Sequence, residues 1–576
     1  MTLDPRTPVL VGVAQFVDRD SAPGEGLSPQ DMMARVARAA IADAGGDPAA
    51  ITSAIDAIVV VRLFQDSGFG APFGRQNNLP HGIARRIGAS PRRMVYGPVG
   101  GNTPQMLATR FMREIADGAH EVVLLAGCEP IRTQSRAQKA GITLDWAEES
   151  PTDAETLGRE MRFVSPHEFA HGIALPVNVY PLFENALCAH YGRDPVAHRQ
   201  AIGALMARFT EVAARNPYAQ IPVARSAEEL ITPTDDNRYI GYPYTKYLNS
   251  NMFVDQAAAV LLMSSAAADR LGVPAAKRVF LHGAADTVEK ILVSERLNYW
   301  SSPAIREGAA HALAMAETDM AGIAHMDLYS CFPSAVEIAA DMMGLAHDDP
   351  RGLTLTGGLP YFGGPGNNYS MHAIAEVAAR CRAAPGTRGL VFANGGYLTK
   401  HAFGVWSTAP RPFPEVDPAA PQAALDAIPS PPFTEKPEGA GRIETMTVVH
   451  DRGEPAFAII IGRLDAGEVR FLAQLREGCA ELNACRLTGR AAGGGLSRRG
   501  GAAARGAGSR RRDREARRSR GCARQAGCCG SWRRAPAGAP AARPRRRGRA
   551  GPWARQAPRG RAWPSGRRRR TAPRRW

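Results

Sequence analysis

The glycine-rich segment 96–110 offers residue types that could do chemistry at the start of a helix. It reads Tyr96-Gly-Pro-Val-Gly-Gly-Asn-Thr103 and leads into an amphipathic stretch that runs to Ala116. A predicted strand at 92–96 precedes it, and Asn102 or Thr103 is suited to cap the helix. The first turn of a helix collects free N–H groups and a positive dipole end. The segment is therefore predicted to bind an anion, an oxyanion or an activated nucleophile.

A second glycine-rich segment repeats this arrangement. The stretch Leu353-Thr-Leu-Thr-Gly-Gly358 leads through Gly363-Gly-Pro-Gly-Asn-Asn-Tyr-Ser370 into a predicted helix. A predicted strand at 389–392 and the pair Gly395-Gly396 follow. Both segments show the order strand, glycine pair, asparagine, amphipathic helix, strand and glycine. This repetition predicts two related halves of the chain.

Cys331 is the thiol that is best placed to react. It lies in Tyr329-Ser-Cys-Phe-Pro-Ser334, between a predicted strand and a predicted helix, where helix-end N–H groups could activate it. A small buried hydrophobic side chain is the more frequent role of a free cysteine. His372, which follows the second glycine-rich segment, is expected to be a packed or surface histidine rather than a base.

The sequence His167-Glu-Phe-Ala-His171 has the spacing of a zinc-binding HExxH motif. A helix is predicted to start at Ser165-Pro166, with Glu168 in the position of a capping box, and Gly172 and Pro176 leave it barely two turns. We therefore predict helix-start chemistry and a site-lining loop here, and we predict no metal.

The elements that must position these residues alternate between strand and helix. Strands are predicted at 8–16, 55–64, 92–96 and 121–127, and helices at 28–44 and 80–87. This alternation predicts crossover units and a mostly parallel sheet. Residues 131–247 interrupt the alternation with helical stretches at 180–191 and 194–214, which favours an insertion that lies over the sheet. A second round follows, with helices predicted at 302–318 and 333–343 and a strand at 325–330.

The formal net charge of +16 is unevenly distributed along the chain. From Arg486 onward there are 29 Arg, no Lys and 2 acidic residues, a net charge of +27. Of the totals of 71 basic and 55 acidic residues, 42 and 53 precede Arg486, a net charge of −11. The sequence therefore predicts an acidic body that is followed by an arginine-rich tail.

A Pro-rich and Ala-rich linker at 409–441 and short predicted strands at 443–449, 457–464 and 469–472 precede this tail. The tail lacks Ile, Val, Phe, Tyr and Met, so it cannot bury a core and is predicted to be disordered. A shifted reading frame is one explanation of its composition. The alternative is a basic tail that binds nucleic acid by neutralising phosphates, with four Trp residues available for stacking.

No stretch has the pattern of a secretory signal or the roughly 18 consecutive apolar residues of a membrane span. The cysteines before residue 400 lack paired spacing, which is typical of a reducing compartment; they are Cys128, Cys188, Cys331 and Cys381. We therefore expect a cytoplasmic protein without membrane insertion.

Residues 6–408 resemble the thiolase superfamily, nearest to the sterol-carrier-protein-type thiolases and bacterial thiolase-like proteins. The matching stretches are 8–15, 118–129, 180–186, 327–332 and 357–365. The resemblance implies an α/β fold of two related βαβαβαββ halves in a layered αβαβα arrangement, with a helical loop domain and a small OB-like C-terminal β domain. The implied boundaries are 1–130 with 248–285 for the first half, 131–247 for the loop domain, 286–408 for the second half, 409–441 for the linker, 442–485 for the β domain and 486–576 for the tail.

Thiolases form an acyl-cysteine and make or cleave a carbon–carbon bond, which requires a Cys nucleophile, an activating His and a second Cys. The resemblance places Val99, Gly364 and Ala393 at these three positions. The family's loop Asn-Glu-Ala-Phe or His-Asp-Cys-Phe reads Tyr329-Ser-Cys-Phe332 here. Because such groups act as a unit, the resemblance implies a protein of acyl-CoA and lipid metabolism that resembles acetyl-CoA acetyltransferases but lacks thiolase catalysis.

The ligand implied by the resemblance is CoA or an acyl-CoA, with no required cofactor. The predicted lining residues are Val99, Gly100, Gly101, Asn102, Tyr329, Phe332, Gly363, Gly364, Pro365, Asn367, Ala393, Asn394 and Gly395. An alternative is an active acyltransferase with Cys331 as nucleophile and with Asn102, Asn367, Asn368 or Asn394 binding the oxyanion. A homodimer through the strand near the nucleophile loop, or a partner protein, is expected, and nucleic acid is expected only if the arginine-rich tail is genuine.

Overall fold

Three β-sheets form the framework of the chain. The computed structural model describes residues 3–68, 70–158, 161–414 and 419–476. The strands are β1 Pro8–Val17, β2 Ala57–Val60, β3 Arg93–Tyr96, β4 Val122–Pro130, β5 Glu155–Thr156, β6 Tyr239–Gly241, β7 Tyr244–Thr245, β8 Asp255–Ser264, β9 Phe280–Val288, β10 His325–Leu328, β11 Arg388–Gly395, β12 Lys400–Ser407, β13 Gly441–Asp451, β14 Glu454–Leu464 and β15 Arg470–Arg476. The predictions for residues 486–576 and for the last part of 442–485 lie outside the described residues.

The α-helices alternate with these strands in both halves of the chain. They are α1 Pro29–Asp43, α2 Pro48–Ala54, α3 Leu79–Ile87, α4 Thr103–Ala116, α5 Ile131–Lys139, α6 Pro166–Ala170, α7 Pro176–His190, α8 Pro195–Arg215, α9 Ala227–Ile231, α10 Ser265–Arg270, α11 Pro303–Met315, α12 Pro333–Met342, α13 Tyr369–Ala383 and α14 Ala419–Asp426. In this part of the chain no helix is both long enough and apolar enough to cross a membrane.

The first two sheets are mixed, with one strand in each that runs against the others, so the predicted mostly parallel course holds for the strand directions of the first sheet and the antiparallel β8 was not predicted. The first sheet has the order β1-β8-β4-β2-β3-β5, and β8 runs antiparallel to both β1 and β4. The second has the order β10-β11-β12-β9, in which β10 and β11 are the parallel pair. Strands β11 and β12 are joined by a turn of four residues, and so short a connection allows only antiparallel pairing.

Helices α4 and α13 lie between these two sheets. Their apolar side chains share one buried cluster with side chains from both sheets: Leu107, Phe111, Ile374, Val377, Leu125, Val260, Val391 and Trp406. Helices α1, α3 and α10 cover the outer face of the first sheet. Helices α11 and α12 cover the outer face of the second sheet, in a separate hydrophobic cluster. The order helix, sheet, helix, sheet, helix confirms the predicted αβαβα layers.

The third sheet joins the C-terminal strands to the insertion. Its order is β15-β14-β13-β6-β7, and the carbonyl of Val448 in β13 accepts a hydrogen bond from the Tyr242 N–H. The helical stretches predicted in the insertion are present as α7 and α8, whereas the short strands β6 and β7 had no clear signal in the sequence. The strand predicted at 55–64 is confined to β2, which is buried on both faces as predicted.

The carboxyl ends of β3, β10 and β11 lead directly into the predicted site residues. The glycine-rich loop follows β3, the Tyr329-Ser-Cys-Phe332 loop follows β10, and Ala393 to Gly395 are the last residues of β11. The two sheets face each other across α4 and α13, so these three chain segments meet although they belong to different sheets.

Candidate functional site

The glycine-rich loop between β3 and α4 is fixed by side chains from the second half of the chain. Asn367 Oδ1 accepts a hydrogen bond from the Gly100 N–H at 2.9 Å, and Asn367 Nδ2 donates to the Arg62 carbonyl at 2.8 Å. Gly100 has φ +143°, a backbone conformation that side chains rarely adopt. Asn367 therefore connects the second half of the chain to the first glycine-rich segment.

Gly101 is enclosed by three neighbours. Its carbonyl accepts a hydrogen bond from Ser370 Oγ at the start of α13. A Cβ at this position would lie 2.5 Å from the Asn394 carbonyl and still closer to Tyr329 Oη. Glycine is therefore required here because the backbone of one half approaches the other half directly.

Asn102 lies at the N-terminal end of α4, but its side chain does not cap the helix. Its backbone is αR, and no hydrogen bond to the first turn forms. The side-chain oxygen is buried and has no hydrogen-bond partner among the described residues. A Cβ added to Gly395 would lie 2.6 Å from this oxygen, so the Asn102 side chain packs against that glycine. The predicted cap is therefore wrong, because the side chain of Asn102 turns toward Gly395 instead.

The three positions at which the resemblance places thiolase's reactive groups differ in burial and contacts. Val99 is 37% exposed, and its backbone carbonyl is the group through which it forms a hydrogen bond within the described part of the chain. A side chain at Gly364 would collide with Ser250 Oγ, and the Gly364 N–H donates to the Asn251 carbonyl. Ala393 is fully buried opposite Ala402 in the sheet.

Cys331 lies in this region, and its thiol is buried. Its Sγ is 4.0 Å from Asn394 Nδ2, and its carbonyl accepts a hydrogen bond from the Ser250 N–H at 3.0 Å. Burial raises the pKa of the Cys331 thiol to about 12, so almost none of it is thiolate at neutral pH. Phe332 stacks on Tyr180 at 4.3 Å in the core behind the loops.

The remaining predicted residues shape the second glycine-rich segment. Gly363 has φ +119°, and the Asn368 N–H donates to the Pro365 carbonyl in a tight turn. Asn368 Nδ2 donates to the Gly127 carbonyl at 2.8 Å. His372 is buried, and its Nδ1 lies 2.9 Å from Gln15 Oε1, which agrees with the prediction of a packed histidine.

Lys400 is the site residue that sequence reasoning missed. It is the first residue of β12, pairs in register with Gly395, and donates from Nζ to the Val99 carbonyl. The residue is 9% exposed, and burial lowers the pKa of its amine to about 8. No signal in the sequence distinguishes it from the other lysines, because its burial beside Val99 depends on the fold.

Neither group of potential metal ligands involves the predicted site residues. Glu168 of the HExxH sequence is held in a capping box with Ser165 and accepts a hydrogen bond from the Ser294 N–H. Elsewhere Glu184, His198 and Glu337 bring ligand atoms within 4.8 Å of one another, and Glu184 already contacts His198 Nε2 at 2.6 Å.

Comparison with known proteins concerns the fold and the family of the chain. Residues 421–494 match the family described as "Thiolase-like protein type 1 additional C-terminal domain". No curated protein sequence matches the chain. The solved structure of a monomeric SCP2-thiolase like protein type 1 (STLP1) from Mycobacterium smegmatis is 41% identical, covers 82% of this chain and 93% of its own, and has a TM-score of 0.70.

Two more distant structures also match most of this chain. The Ltp2-ChsH2(DUF35) aldolase is 18% identical over 70% of this chain and 98% of its own, with a TM-score of 0.50. Human mitochondrial 3-ketoacyl-CoA thiolase is 15% identical over 70% of this chain and 100% of its own, with a TM-score of 0.49. By its identity and coverage to the mycobacterial protein, this chain belongs to the family of SCP2-thiolase like proteins of type 1.

Proposed function

We propose that the protein binds CoA or an acyl-CoA between the two glycine-rich segments and does not catalyse the thiolase reaction. One observation supports both parts of the proposal. The side chains of Asn367 and Ser370 hold the peptide groups of Gly100 and Gly101 in place, while Val99 at the adjacent nucleophile position has no reactive atom. The backbone scaffold of the site is thus maintained without the sulfur that thiolase chemistry needs.

An acyltransferase that uses Cys331 is the second candidate, and its surroundings count against it. Burial raises the pKa of the thiol to about 12, and the side chains that contact Sγ are neutral, namely Tyr180 and Asn394, the latter through Nδ2 at 4.0 Å. An activated cysteine instead needs a lowered pKa from a nearby base, cation or helix N-terminus. We therefore favour binding over covalent transfer.

We also propose that the protein is a monomer. The expected homodimer would form through the edge of β3, but β5 of the same chain pairs with β3 there. This pairing occupies the edge of β3 at Val95 and Tyr96, and a paired segment cannot template another strand. The 41% identical relative is described as monomeric. Light scattering coupled to gel filtration should give the mass of one chain, and a dimer mass would contradict this proposal.

Two further parts of the proposal concern location and nucleic acid. The described cysteines Cys128, Cys188, Cys331 and Cys381 are free and buried, which supports a cytoplasmic location. Binding of nucleic acid by residues 486–576 stays a prediction, since those residues lie outside the described part of the chain.

Calorimetric titration with CoA and with acetyl-CoA tests the binding function. We expect saturable binding of both ligands at one site per chain. Intact-mass analysis of the acetyl-CoA sample should show unmodified protein, because Cys331 is protonated. Absence of binding at millimolar ligand would contradict the proposed function, and an acetyl adduct that disappears in Cys331→Ala would favour the acyltransferase.

A further inference from the structure

A cavity lies between the loop that follows β2 and the start of helix α5. Its volume is about 180 Å³, and an engineered cavity of roughly 150 Å³ already holds a benzene molecule. The apolar residues Leu63, Phe64 and Met252 line it together with Gln134 and Gln138 of α5. Met252 is 42% exposed, so the cavity is open to solvent. It therefore has room for a short organic molecule.

Glu129, near the end of β4, is the ionisable side chain among the described residues that line this cavity. The residue is 3% exposed, and its Oε1 accepts a hydrogen bond from the Phe64 N–H at 2.8 Å. Its Oε2 makes no hydrogen bond within the described part of the chain and is not fully buried. One carboxylate oxygen is therefore left for a ligand in the cavity.

The carboxylate of Glu129 has no cationic partner in the part of the chain that the structure describes. The charged neighbour that acts on it is Asp66, which is also acidic. Burial, with a smaller effect of Asp66, raises the pKa of Glu129 to about 8, so a proton neutralises it at pH 7. A buried carboxylate is costly unless it is paired. A cation in the cavity would replace that proton.

Gln134 and Gln138 add further acceptors to the cavity. They lie one turn apart on α5, and neither side chain makes a hydrogen bond to a described residue. Each glutamine amide carries a carbonyl oxygen that accepts hydrogen bonds, and a primary ammonium group has three N–H donors and no acceptor. An anionic oxygen and two amide oxygens beside apolar side chains therefore suit the ammonium group of an alkylamine.

We infer that this cavity binds a primary alkylammonium ion, with Glu129 as its anionic partner. The ammonium group would donate to Glu129 Oε2 and to the amide oxygens of Gln134 and Gln138, and the alkyl chain would lie against the apolar side chains. The site borders the second glycine-rich segment, because a Cβ at Gly366 would collide with the Glu129 carboxylate. The inference does not rest on CoA binding, so either proposal can fail without the other.

The ion n-butylammonium and the alcohol 1-butanol provide a matched pair, since they have the same shape and differ in charge. At pH 8 about half of Glu129 is ionised, and an alkylamine is still protonated. Ligand-detected NMR titration of the wild-type protein at this pH should show that n-butylammonium binds about tenfold more tightly, the ratio expected when a charge-assisted hydrogen bond replaces a neutral one. Equal affinities, or failure of the amine to bind, would overturn the inference.

Glu129→Gln has the shape of the protonated acid but cannot become an anion. We expect this variant to lose the preference for n-butylammonium while its affinity for 1-butanol stays within about threefold of wild type. Glu121→Gln, at an exposed glutamate just before β4, is the control and should keep the preference. A preference that persists in Glu129→Gln would overturn the role of Glu129.

The compound Nα-acetyllysine methylamide carries the same butylammonium group on a peptide and separates the two sources of this chemistry. We expect it to bind more weakly than n-butylammonium, because its two peptide groups would not fit in the cavity beside the side chain. Tighter binding would overturn a free amine as the ligand and assign the site to a lysine side chain of a partner protein.

Discussion

Asn367→Ala tests whether one side chain holds the glycine-rich loop in place. The substitution removes the acceptor of the Gly100 N–H at 2.9 Å and the donor to the Arg62 carbonyl at 2.8 Å. A buried group that loses its partner costs about 1–3 kcal/mol. Because the Arg62 contact is only partly buried, the sum is about 2–4 kcal/mol of unfolding free energy. The loop would also lose its anchor, so CoA affinity should fall together with stability.

The assay is urea unfolding followed by circular dichroism, together with calorimetric titration of CoA. Asn77→Ala is the matched control, because Asn77 also makes side-chain hydrogen bonds, to Ser150 and Asp153, but at an exposed position. We expect the control to lose less than about 1 kcal/mol and to bind CoA normally. Equal stability of the two variants, or unchanged CoA affinity in Asn367→Ala, would refute the anchoring role.

Three further substitutions have defined outcomes. Gly101→Ala should lower the free energy of unfolding by about 1–3 kcal/mol, because its Cβ would overlap Tyr329 Oη. Thermal melting measures this loss, and an unchanged melting temperature would count against the close approach. Burial raises the pKa of Glu129 to about 8. The contribution of this carboxyl group to the free energy of unfolding is therefore fully present below about pH 4.5, and it is lost by about 1.4 kcal/mol per pH unit as the pH rises to about 8. Glu129→Gln should flatten this slope in urea unfolding. Cys331→Ala should leave CoA affinity unchanged, and a large loss would indicate a direct role.

The sequence predicted those features that local patterns determine. Apolar periodicity located α7 and α8, and the spacing of glycines and prolines identified the loops around Val99 and Gly364. The antiparallel course of β8 and the shared sheet of β6 and β13 were not predictable, because they depend on pairing between segments far apart in the chain. Residue patterns do not encode such pairings directly.

The same distinction applies to the candidate site. Asn367 was identified because it lies inside a glycine-rich segment, but its partner Gly100 is 267 residues away, so the hydrogen bond itself was not predictable. Lys400 was missed because its role depends on its burial beside Val99, which cannot be read from the sequence. Asn102 occupies the position of a cap, yet tertiary contact with Gly395 directs its side chain elsewhere.

Native mass spectrometry of the protein mixed with acetyl-CoA tests most directly whether the site binds the thioester without reacting. One spectrum reports both the noncovalent complex and any covalent adduct. We predict a complex with one acetyl-CoA that dissociates to unmodified protein, since Val99 cannot accept the acetyl group and the Cys331 thiol is buried and protonated. A stable acetylated protein with release of CoA, or no complex at all, would contradict this prediction.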